Sequence, residues 1–504
     1  MKIVFSFLLL SFISITNATA QETYHEQYRP QIHFSPKEHW MNDPNGMVYN
    51  DGIYHLFFQY FPGGTVWGPM HWGHATSKDL IHWQQEAIAL YPDSLGYIFS
   101  GSAVVDKKNT SGFGKNGKIP LVAIYTNHDP KGEKAGTKNF QNQSIAYSLD
   151  NGKTWIKYSK NPVLKNPGIT DFRDPKVMWY SPENKWIMTL ATKDRITFYS
   201  SKDLKNWKKE SEFGETEGAH GGVWECPDLF PLKYQGKTVW VLIVNLNPGG
   251  PNQGSATQYF TGDFDGTKFT PNSSQTKWID YGPDEYAGVT WNNTGSRRIF
   301  LGWMSNWLYA NQVPTVKWRN AMTIPRELHL TKVKNEMYVT SEPVEELKLI
   351  ARKDFVKTNV TVSKSTDISR LMQQPVSLPC RINLSMAQGD NFSVILSNNL
   401  KEKLIVGYDK ESNQFYIDRT MAGNSDFNKE FAEKHFAPRI SESKEMTLSL
   451  IIDKSSIELF ADGGLSVMTS IFFPEKPYDK IEISTSGKVL FNSISYTGFN
   501  SIWH

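Results

Sequence analysis

Three acidic side chains stand in distinctive sequence contexts. Asp43 lies in WMNDPNG, Asp174 in DFRDP and Glu225 in WECPD, each with an aromatic residue or an arginine nearby and a proline one or two positions later. An Asp-Pro step is also a common turn opener, so no single context is decisive. Retaining hydrolysis of a glycosidic bond uses two carboxyl groups about 5–5.5 Å apart, one as nucleophile and one as proton donor and acceptor. Together the three motifs are hard to attribute to turns alone, and their carboxyl groups are candidates for such a pair.

Side chains this far apart in the sequence need a fold that returns the chain repeatedly to one place. Helical periodicity is scarce, and short stretches rich in β-branched and aromatic residues alternate with Gly, Asn, Asp and Pro, which indicates an all-β protein. In a β-propeller the inner strand of each blade lines a central channel, so carboxylates from different blades can converge there. The predicted strands of this region are Gly52–Gln59, Leu121–Thr126, Lys185–Thr192, Thr238–Asn245 and Arg298–Met304.

An internal repeat favours a propeller. The segment SKDLIHW at 77–83 recurs as SKDLKNW at 201–207, identical at five of seven positions, and a variant, SLDNGKTW, lies at 148–155. The aspartates at 79, 150 and 203 are therefore 71 and 53 residues apart, a spacing comparable to one four-stranded blade with its loops. Asp and Ser side chains bond nearby backbone N–H groups in turns, so we interpret these aspartates as structural.

The character of the chain changes between 341 and 355, where EPVEEL at 342–347 predicts a short helical connector. The strands that follow lack the repeat and succeed one another in short antiparallel order, which indicates a β-sandwich. We therefore expect a propeller over 24–340, a linker over 341–355 and a sandwich over 356–504. The predicted sandwich strands are Ile382–Ser385, Ser393–Ser397, Lys403–Tyr408, Gln414–Asp418, Met446–Ile452, Ser456–Phe460, Val467–Phe473 and Lys480–Thr485.

Residues 1–20 have the features of a signal peptide. Lys2 precedes an apolar run from Ile3 to Ile15, and Ala18-x-Ala20 fits a signal-peptidase site. The apolar run is short for a membrane span. These features predict cleavage after Ala20 and export to the periplasm or the extracellular space, with no membrane association afterwards.

Composition narrows the class of ligand. The net charge is +3 without a run of Lys or Arg, so no nucleic-acid partner is expected. Cys226 and Cys380 fall in different predicted domains, and no disulfide is expected between them. His71 and His74 are close in sequence, but no further Cys/His cluster accompanies them, and we expect neither a metal nor another cofactor. The 16 Trp residues suit a carbohydrate ligand, because flat aromatic faces stack on sugar rings.

The three acidic motifs resemble the signatures of glycoside hydrolase family 32, the β-fructosidases that include invertases, exo-inulinases and levanases. Further matching segments are FSGSA at 99–103, LGWM at 301–304, AMTIPREL at 321–328 and SIELFADGG at 456–464. The similarity extends from about His33 to the C-terminus. It implies a five-bladed β-propeller followed by a C-terminal β-sandwich, and a fructose-containing oligosaccharide or polysaccharide as substrate.

The same resemblance implies roles for individual residues. Asp43 matches the nucleophile, Glu225 the general acid/base, and Asp174 the carboxylate that stabilises the transition state. Arg173 would orient Asp174 and contact the sugar. The remaining positions that resemble the fructose pocket are Asn42, Gln59, Trp67, Phe99, Ser100 and Trp303. His71, His74 and Cys226 are interpreted as structural or as supporting the site from behind.

Alternative activities stay open at this level. A fructosyltransferase shares the covalent intermediate and differs in whether water or a sugar accepts the fructosyl group. An endo-acting fructanase would need an open groove, whereas a propeller funnel favours release of terminal fructose units. A sialidase is a remote alternative, since SLDNGKTW fits its turn repeat but no arginine triad accompanies it. A non-catalytic sugar-binding propeller would be expected to lack one of the three carboxylates.

Overall fold

The computed structural model describes residues 24–387 and 391–503. In this part the chain forms seven β-sheets. The predicted signal peptide, residues 1–20, lies outside the described residues. Across the described ranges, no helix combines the length and apolar character needed to cross a membrane.

Five of the sheets are the blades of a propeller, and the all-β prediction is confirmed. The first strand of each blade packs beside the first strands of its two neighbours, which closes a ring around one channel. The strands are, for blade I, His39–Asn50, Ile53–Phe61, His71–Ser77 and Gln84–Gln85, with Trp318–Arg319 paired in parallel to the first; for blade II, Tyr97–Val105, Leu121–His128, Gln141–Ser148 and Ile156–Lys157; for blade III, Phe172–Tyr180, Lys185–Thr192, Ile196–Ser201 and Lys208–Phe213; for blade IV, Val223–Tyr234, Lys237–Asn247, Ala256–Phe264 and Phe269–Pro271, with Lys277–Trp278 on the third; and for blade V, Tyr286–Thr290, Ile299–Met304, Arg326–Val333 and Glu336–Pro343, with Ala321–Met322 on the second.

The five strands predicted for this region are the second strands of the five blades. Each has neighbours on both sides, and this position buries them: every residue of Leu121–His128 and of Lys185–Thr192 is buried. Burial of both faces explains why the sequences of these strands are mostly apolar.

The repeated SKDL segments form one kind of turn between the third and fourth strands of a blade. In blade I, Asp79 Oδ1 accepts hydrogen bonds from the backbone N–H groups of Ile81 (3.0 Å) and His82 (2.8 Å). Leu80 takes a left-handed φ of 67°, and the Trp83 indole donates to its carbonyl. The copies in blades II and III form comparable turns around their own aspartates. The hydrogen bonds of these carboxylates are therefore made within their own turns, which agrees with a structural role.

The connection between the domains is shorter than the predicted linker. The last propeller strand runs to Pro343 and the next strand begins at Ala351, so two stretches assigned to the linker at 341–355 belong to sheets. A 3-10 helix, Glu345–Leu349, lies between them, close to the helical connector expected at 342–347. Other short helices are Pro130–Lys134, Ser181–Glu183 and Ile368–Met372.

The C-terminal region is a sandwich of two six-stranded sheets, as predicted. Their inner faces meet in an apolar core that includes Val394, Leu396, Leu448 and Leu450. One sheet contains Ala351–Val362, Val489–Phe499, Cys380–Ala387, Glu445–Ile452, Ser456–Ala461 and Ser466–Ile471; the other contains Ser365–Asp367, Lys480–Thr485, Phe392–Ser397, Lys403–Asp409, Gln414–Met421 and Lys434–Pro438.

Buried ionic contacts join the sandwich to the propeller. The His33 imidazole lies between two sandwich carboxylates, 2.8 Å from Asp453 and 2.9 Å from Glu458. Glu458 also binds Arg326 of blade V. Burial disfavours the charged imidazole, but the two carboxylates dominate and raise the pKa of His33 to about 9. The domains are therefore docked through a charged network as well as through apolar contacts.

Candidate active site

The three carboxylates predicted from the motifs lie at one end of the channel, near the starts of the first strands of blades I, III and IV. In each strand the pairing register with the second strand shifts at the motif: just before Pro44, across Pro175 and just after Glu225. Proline cannot donate to the ladder and is found in such bulges, which re-aim side chains. Asp174 and Cys226 have φ of 62° and 43° at these points. The prolines of the motifs thus mark bulges that turn the carboxyl groups into the channel.

Both oxygens of Asp43 are held by hydrogen bonds. The Asn42 amide donates to Oδ1 and the Ser100 hydroxyl donates to Oδ2, each at 2.8 Å. Asn42 is fixed in turn by the Trp40 indole, which donates to its Oδ1 at 2.7 Å. Burial raises the pKa of the Asp43 carboxyl, the Glu225 charge raises it further, and the two hydrogen bonds oppose both by favouring the ionised form. The result is an oriented carboxylate that can act as a nucleophile.

Asp174 lies beside Asp43 with the Cys226 thiol between them. The Cys226 backbone N–H donates to Asp174 Oδ2 at 3.0 Å, and its sulfur lies 3.7 Å from that oxygen and 3.6 Å from Asp43 Oδ2. Burial, together with the charges of Glu225 and Asp43, raises the pKa of Asp174 against the opposing effect of Arg173. Burial also raises the pKa of the Cys226 thiol, so the sulfur keeps its proton. The structure therefore brings two carboxylates to one sulfur atom.

Glu225 is held from both sides. Arg173 donates from Nε (3.1 Å) and Nη2 (2.9 Å) to Oε1, and the Tyr286 hydroxyl donates to Oε2. Arg173 also donates to Asp171 at 2.5 Å. Although burial disfavours a charged guanidinium, the surrounding carboxylates raise the pKa of Arg173 and keep it charged. A carboxyl group fixed in this way can exchange a proton with a group bound in front of it.

The three carboxylates line a cavity of about 420 Å³ that is open at one end. Beneath it, Lys176 and Asp228 form an ion pair at 3.2 Å, and both bind Thr290 of blade V. They lie on the same strands as Asp174 and Glu225, two and three residues further along, so the channel is filled below the carboxylates. The pocket is therefore blind. Its lining consists of Asn42, Asp43, Gln59, Trp67, Phe99, Ser100, His128, Glu133, Gln141, Asp171, Arg173, Asp174, Glu225, Trp307 and Asn311.

Family comparisons agree with this geometry. The model of the glycosyl hydrolases family 32 N-terminal domain matches residues 33–343, and that of the family 32 C terminal matches residues 346–498. This chain belongs to glycosyl hydrolase family 32. The resemblance seen in the sequence is thereby confirmed, and with it the enzyme class, a glycosidase.

Individual family 32 proteins are similar over nearly the whole chain. The levanase of Bacillus subtilis (strain 168) is 46% identical over 510 residues, which cover 98% of this chain and 74% of the levanase. The extracellular exo-inulinase of Aspergillus niger is 41% identical over 524 residues, which cover 95% of this chain and 96% of the exo-inulinase. The structure of β-fructofuranosidase from Schwanniomyces occidentalis, complexed with fructosyl-erythritol, superposes with a TM-score of 0.85 at 35% identity and covers 95% of this chain and 99% of that one.

Most residues assigned to the pocket from sequence lie in its lining, and Trp303 does not. The six that line it besides the carboxylates are Asn42, Gln59, Trp67, Phe99, Ser100 and Arg173. Trp303 has no exposed surface; its indole donates to the Met41 carbonyl and its ring packs 4.9 Å from Trp307. The assignment of Trp303 to the pocket is therefore corrected: Trp307 lines the pocket, and Trp303 is buried against it.

Arg173 also differs from the sequence-based expectation. Its Nε lies 4.0 Å from Asp174, while its hydrogen bonds go to Glu225 and Asp171. It therefore orients the predicted acid/base more directly than the predicted transition-state stabiliser. Since both carboxylates flank one guanidinium, a sequence motif that places Arg173 next to Asp174 could not show which of them it would bind.

Several site residues were missed because their sequence contexts are ordinary. Tyr286 opens the first strand of blade V, and His128, with Phe99 stacked 4.2 Å away on its ring, lies at the end of a strand in blade II.

His71 bonds the Pro69 carbonyl and His74 stacks on Phe57, which agrees with structural roles. Within 24–387 and 391–503, no group of three or more His, Cys, Asp or Glu side chains is arranged to hold a metal ion.

Proposed function

We propose that this family 32 enzyme is a retaining β-fructosidase that releases terminal, non-reducing β-D-fructofuranosyl units from fructans, fructo-oligosaccharides or sucrose. The observation that carries the proposal is the set of three carboxylates, Asp43, Asp174 and Glu225, at the closed end of a blind pocket. Similarity to a levanase, an extracellular exo-inulinase and a fructofuranosidase complexed with fructosyl-erythritol supports fructose as the sugar bound.

The reaction proceeds in two displacements. A carboxylate oxygen of Asp43 attacks the anomeric carbon, and the bond to the leaving oxygen breaks as Glu225 donates its proton to that oxygen. The fructosyl group is then an ester of Asp43. A water molecule that gives its proton to Glu225 attacks the same carbon and frees Asp43, with net retention. The donors Asn42 and Ser100 keep the Asp43 carboxylate oriented for the first step.

Asp174 acts on the ring and not on the bond that breaks. Its carboxylate accepts hydrogen bonds from ring hydroxyls, and these bonds strengthen as positive charge develops in the oxocarbenium-like transition state. Gln59 also lines the pocket, and its amide nitrogen, which is buried, has no hydrogen-bond partner among the described residues, so it is available as a donor. A buried donor left unpaired is costly, so a sugar hydroxyl that accepts from it would gain affinity.

The blind pocket accounts for exo-action. Lys176 and Asp228 fill the channel below the carboxylates, so a chain can enter from one end and cannot pass through. Trp67, Phe99 and Trp307 line the pocket together with the polar groups and offer faces on which sugar rings stack. A terminal fructosyl unit would occupy the closed end, and the rest of the substrate would extend toward solvent.

We infer that the protein is exported. The charged, apolar and small-residue order of residues 1–20 fits a cleaved signal peptide, and the similar exo-inulinase of Aspergillus niger is named extracellular. Export agrees with a substrate that is a polymer outside the cell. N-terminal sequencing of the secreted protein should begin at Gln21; a first residue of Met1 would contradict cleavage.

The catalytic assignment is tested with Asp43→Asn and Glu225→Gln. Each should lower kcat on sucrose or inulin by a factor of roughly 10³ or more, since each removes a group that the transition state requires. The matched controls are Asp150→Asn, in a structural turn, and Glu215→Gln, on an exposed loop. Both controls should keep wild-type kcat, and comparable activity of D43N or E225Q to its control would overturn the assignment.

Two further measurements separate the related activities. Azide should restore turnover of an aryl β-fructofuranoside by Glu225→Ala, because a good leaving group needs no acid and azide replaces water in the second step. An early time course on a long fructan should show free fructose with a slowly shrinking polymer. A ladder of oligosaccharides at low conversion would indicate endo-action, and growth of longer chains from sucrose would indicate transfer.

A further inference from the structure

The sandwich domain makes direct contact with the segment that leads into the active site. Residues 280–284 lie along the sandwich edge strand Ser466–Ile471: the Tyr281 N–H donates to the Val467 carbonyl at 2.8 Å, and the Asp284 N–H to the Thr469 carbonyl at 3.2 Å. At Gly282 an added Cβ would lie 2.1 Å from the Thr469 oxygen, so the two backbones touch. Backbone hydrogen bonds thus hold the segment along the edge of the sandwich sheet.

A buried ionic cluster pins the end of this segment. Asp284 accepts hydrogen bonds from Arg419 of the sandwich (2.5 Å), from the Ile471 N–H (2.9 Å) and from the Tyr309 hydroxyl (2.5 Å). Arg419 in turn donates to Tyr309 and to the Phe431 carbonyl. Asp284 and Arg419 have side chains with no exposed surface. A carboxylate bound by an arginine, a tyrosine and a backbone amide has a single position.

Two residues beyond Asp284, Tyr286 donates its hydroxyl hydrogen to Glu225. Tyr286 is fully buried, against Trp303. Between them, the carboxyl group of Glu285 fits over two glycines: a Cβ on Gly288 or Gly302 would lie 2.5 or 2.2 Å from its Oε1. The backbone from 284 to 286 therefore has little freedom to adjust, so the position of the Tyr286 side chain depends on where Asp284 is held.

We propose that Asp284 and Arg419 are positioning residues for catalysis: by fixing the 280–284 segment to the sandwich, they set the position at which Tyr286 meets Glu225. The sandwich is then part of the catalytic apparatus although none of its residues lines the pocket. The proposal rests on the proposed role of Glu225 as acid/base. It distinguishes this ionic contact from that of Asp453 with His33, which also joins the domains but holds the N-terminal segment.

The test compares Asp284→Asn with Asp453→Asn, because both neutralise a fully buried carboxylate that joins the two domains. Assays are run well below the Tm of each variant. D284N should lower kcat on the order of tenfold or more with little change in KM, since small displacements of catalytic groups greatly reduce the rate of the chemical step. It should also shift the alkaline limb of the pH profile in the same direction as Tyr286→Phe. D453N should lower Tm and leave kcat and the pH profile at wild-type values.

A double variant and a structure complete the test. If Asp284 acts through Tyr286, the D284N/Y286F double variant should lose no more kcat than Y286F alone; multiplicative losses would overturn the proposal. A crystal structure of D284N should show the Tyr286 hydroxyl detached from Glu225, and that of D453N should retain the contact. This structural readout requires no substrate, so it decides the proposal even if the wild-type protein failed to cleave fructosides, a result that would overturn the proposed function instead.

Discussion

The hydroxyl of Ser100 offers a direct way to change the ionisation of the proposed nucleophile. It donates to Asp43 Oδ2 at 2.8 Å, and among the described residues the other hydrogen-bond donor to this oxygen is the Cys226 sulfur at 3.6 Å, a weak donor. Ser100→Ala removes the stronger donor and leaves the Asn42 bond to Oδ1 in place. The ionised form of Asp43 loses stabilisation, so its pKa should rise above the already raised value of the wild-type enzyme.

The size of the shift follows from the energy of the bond. A hydrogen bond to a charged group contributes about 1.5–3 kcal/mol, and one pKa unit corresponds to about 1.36 kcal/mol. Asp43 lines a cavity that is open at one end, so water can replace part of the lost bond, and we take the lower limit of about one unit. The nucleophile must be ionised for the reaction. As the pH is lowered, S100A should therefore lose activity at a higher pH than the wild type does.

The assay is the pH dependence of kcat/KM, which reports ionisations of the free enzyme. Its acid limb should move up by about one pH unit while the alkaline limb stays in place. The acid limb reports the coupled carboxylates together, but within this group Asp43 alone loses a donor. The matched control is Ser144→Ala, a buried blade II serine whose hydroxyl has no partner among the described residues. An unmoved or lowered acid limb in S100A, or an equal shift in S144A, would refute the reasoning.

Three further outcomes are expected. Trp307→Ala should raise KM by about tenfold, the equivalent of roughly 1.4 kcal/mol of lost stacking, with little change in Tm. Trp303→Ala should instead lower the free energy of unfolding by about 3–5 kcal/mol, because it removes a ring with no exposed surface. The reverse pattern would contradict the places assigned to these two residues. Folding raises the pKa of His33 from its unfolded value of about 6.5 to about 9, so the charged His33 stabilises the fold fully below about 6.5 and this stabilisation is lost as the pH rises through about 9. Wild-type Tm should therefore fall over this pH range, and His33→Gln should flatten the slope. An unchanged slope would show that another group is responsible. Turnover should survive EDTA, since carboxylates and Arg173 supply the charges that the proposed steps need; loss of activity restored by a divalent ion would contradict this.

Local sequence was sufficient for the strands and turns of the propeller. The predicted strand Lys185–Thr192 has the bounds that the structure shows, since a buried strand appears as a short stretch rich in β-branched and aromatic residues between turn residues. The repeated SKDL segment identifies Asp79 as a turn residue. A local pattern is enough here because the hydrogen bonds of Asp79 reach no further than His82. The linker was predicted too long because strand pairing at Ala351 depends on Phe499, which is distant in sequence.

The amino-acid sequence by itself determined the three carboxylates, since Asp43, Asp174 and Glu225 lie in short motifs whose prolines also encode the bulges that aim them. Tertiary structure alone decided which groups surround them. Trp303 and Trp307 are four positions apart, and packing places the first under the pocket and the second in its lining. Tyr286 carries no motif, because its function depends on a hydroxyl that meets Glu225 of the neighbouring blade. Contacts between blades and between domains join residues that are distant in the chain, and a local pattern cannot specify such partners.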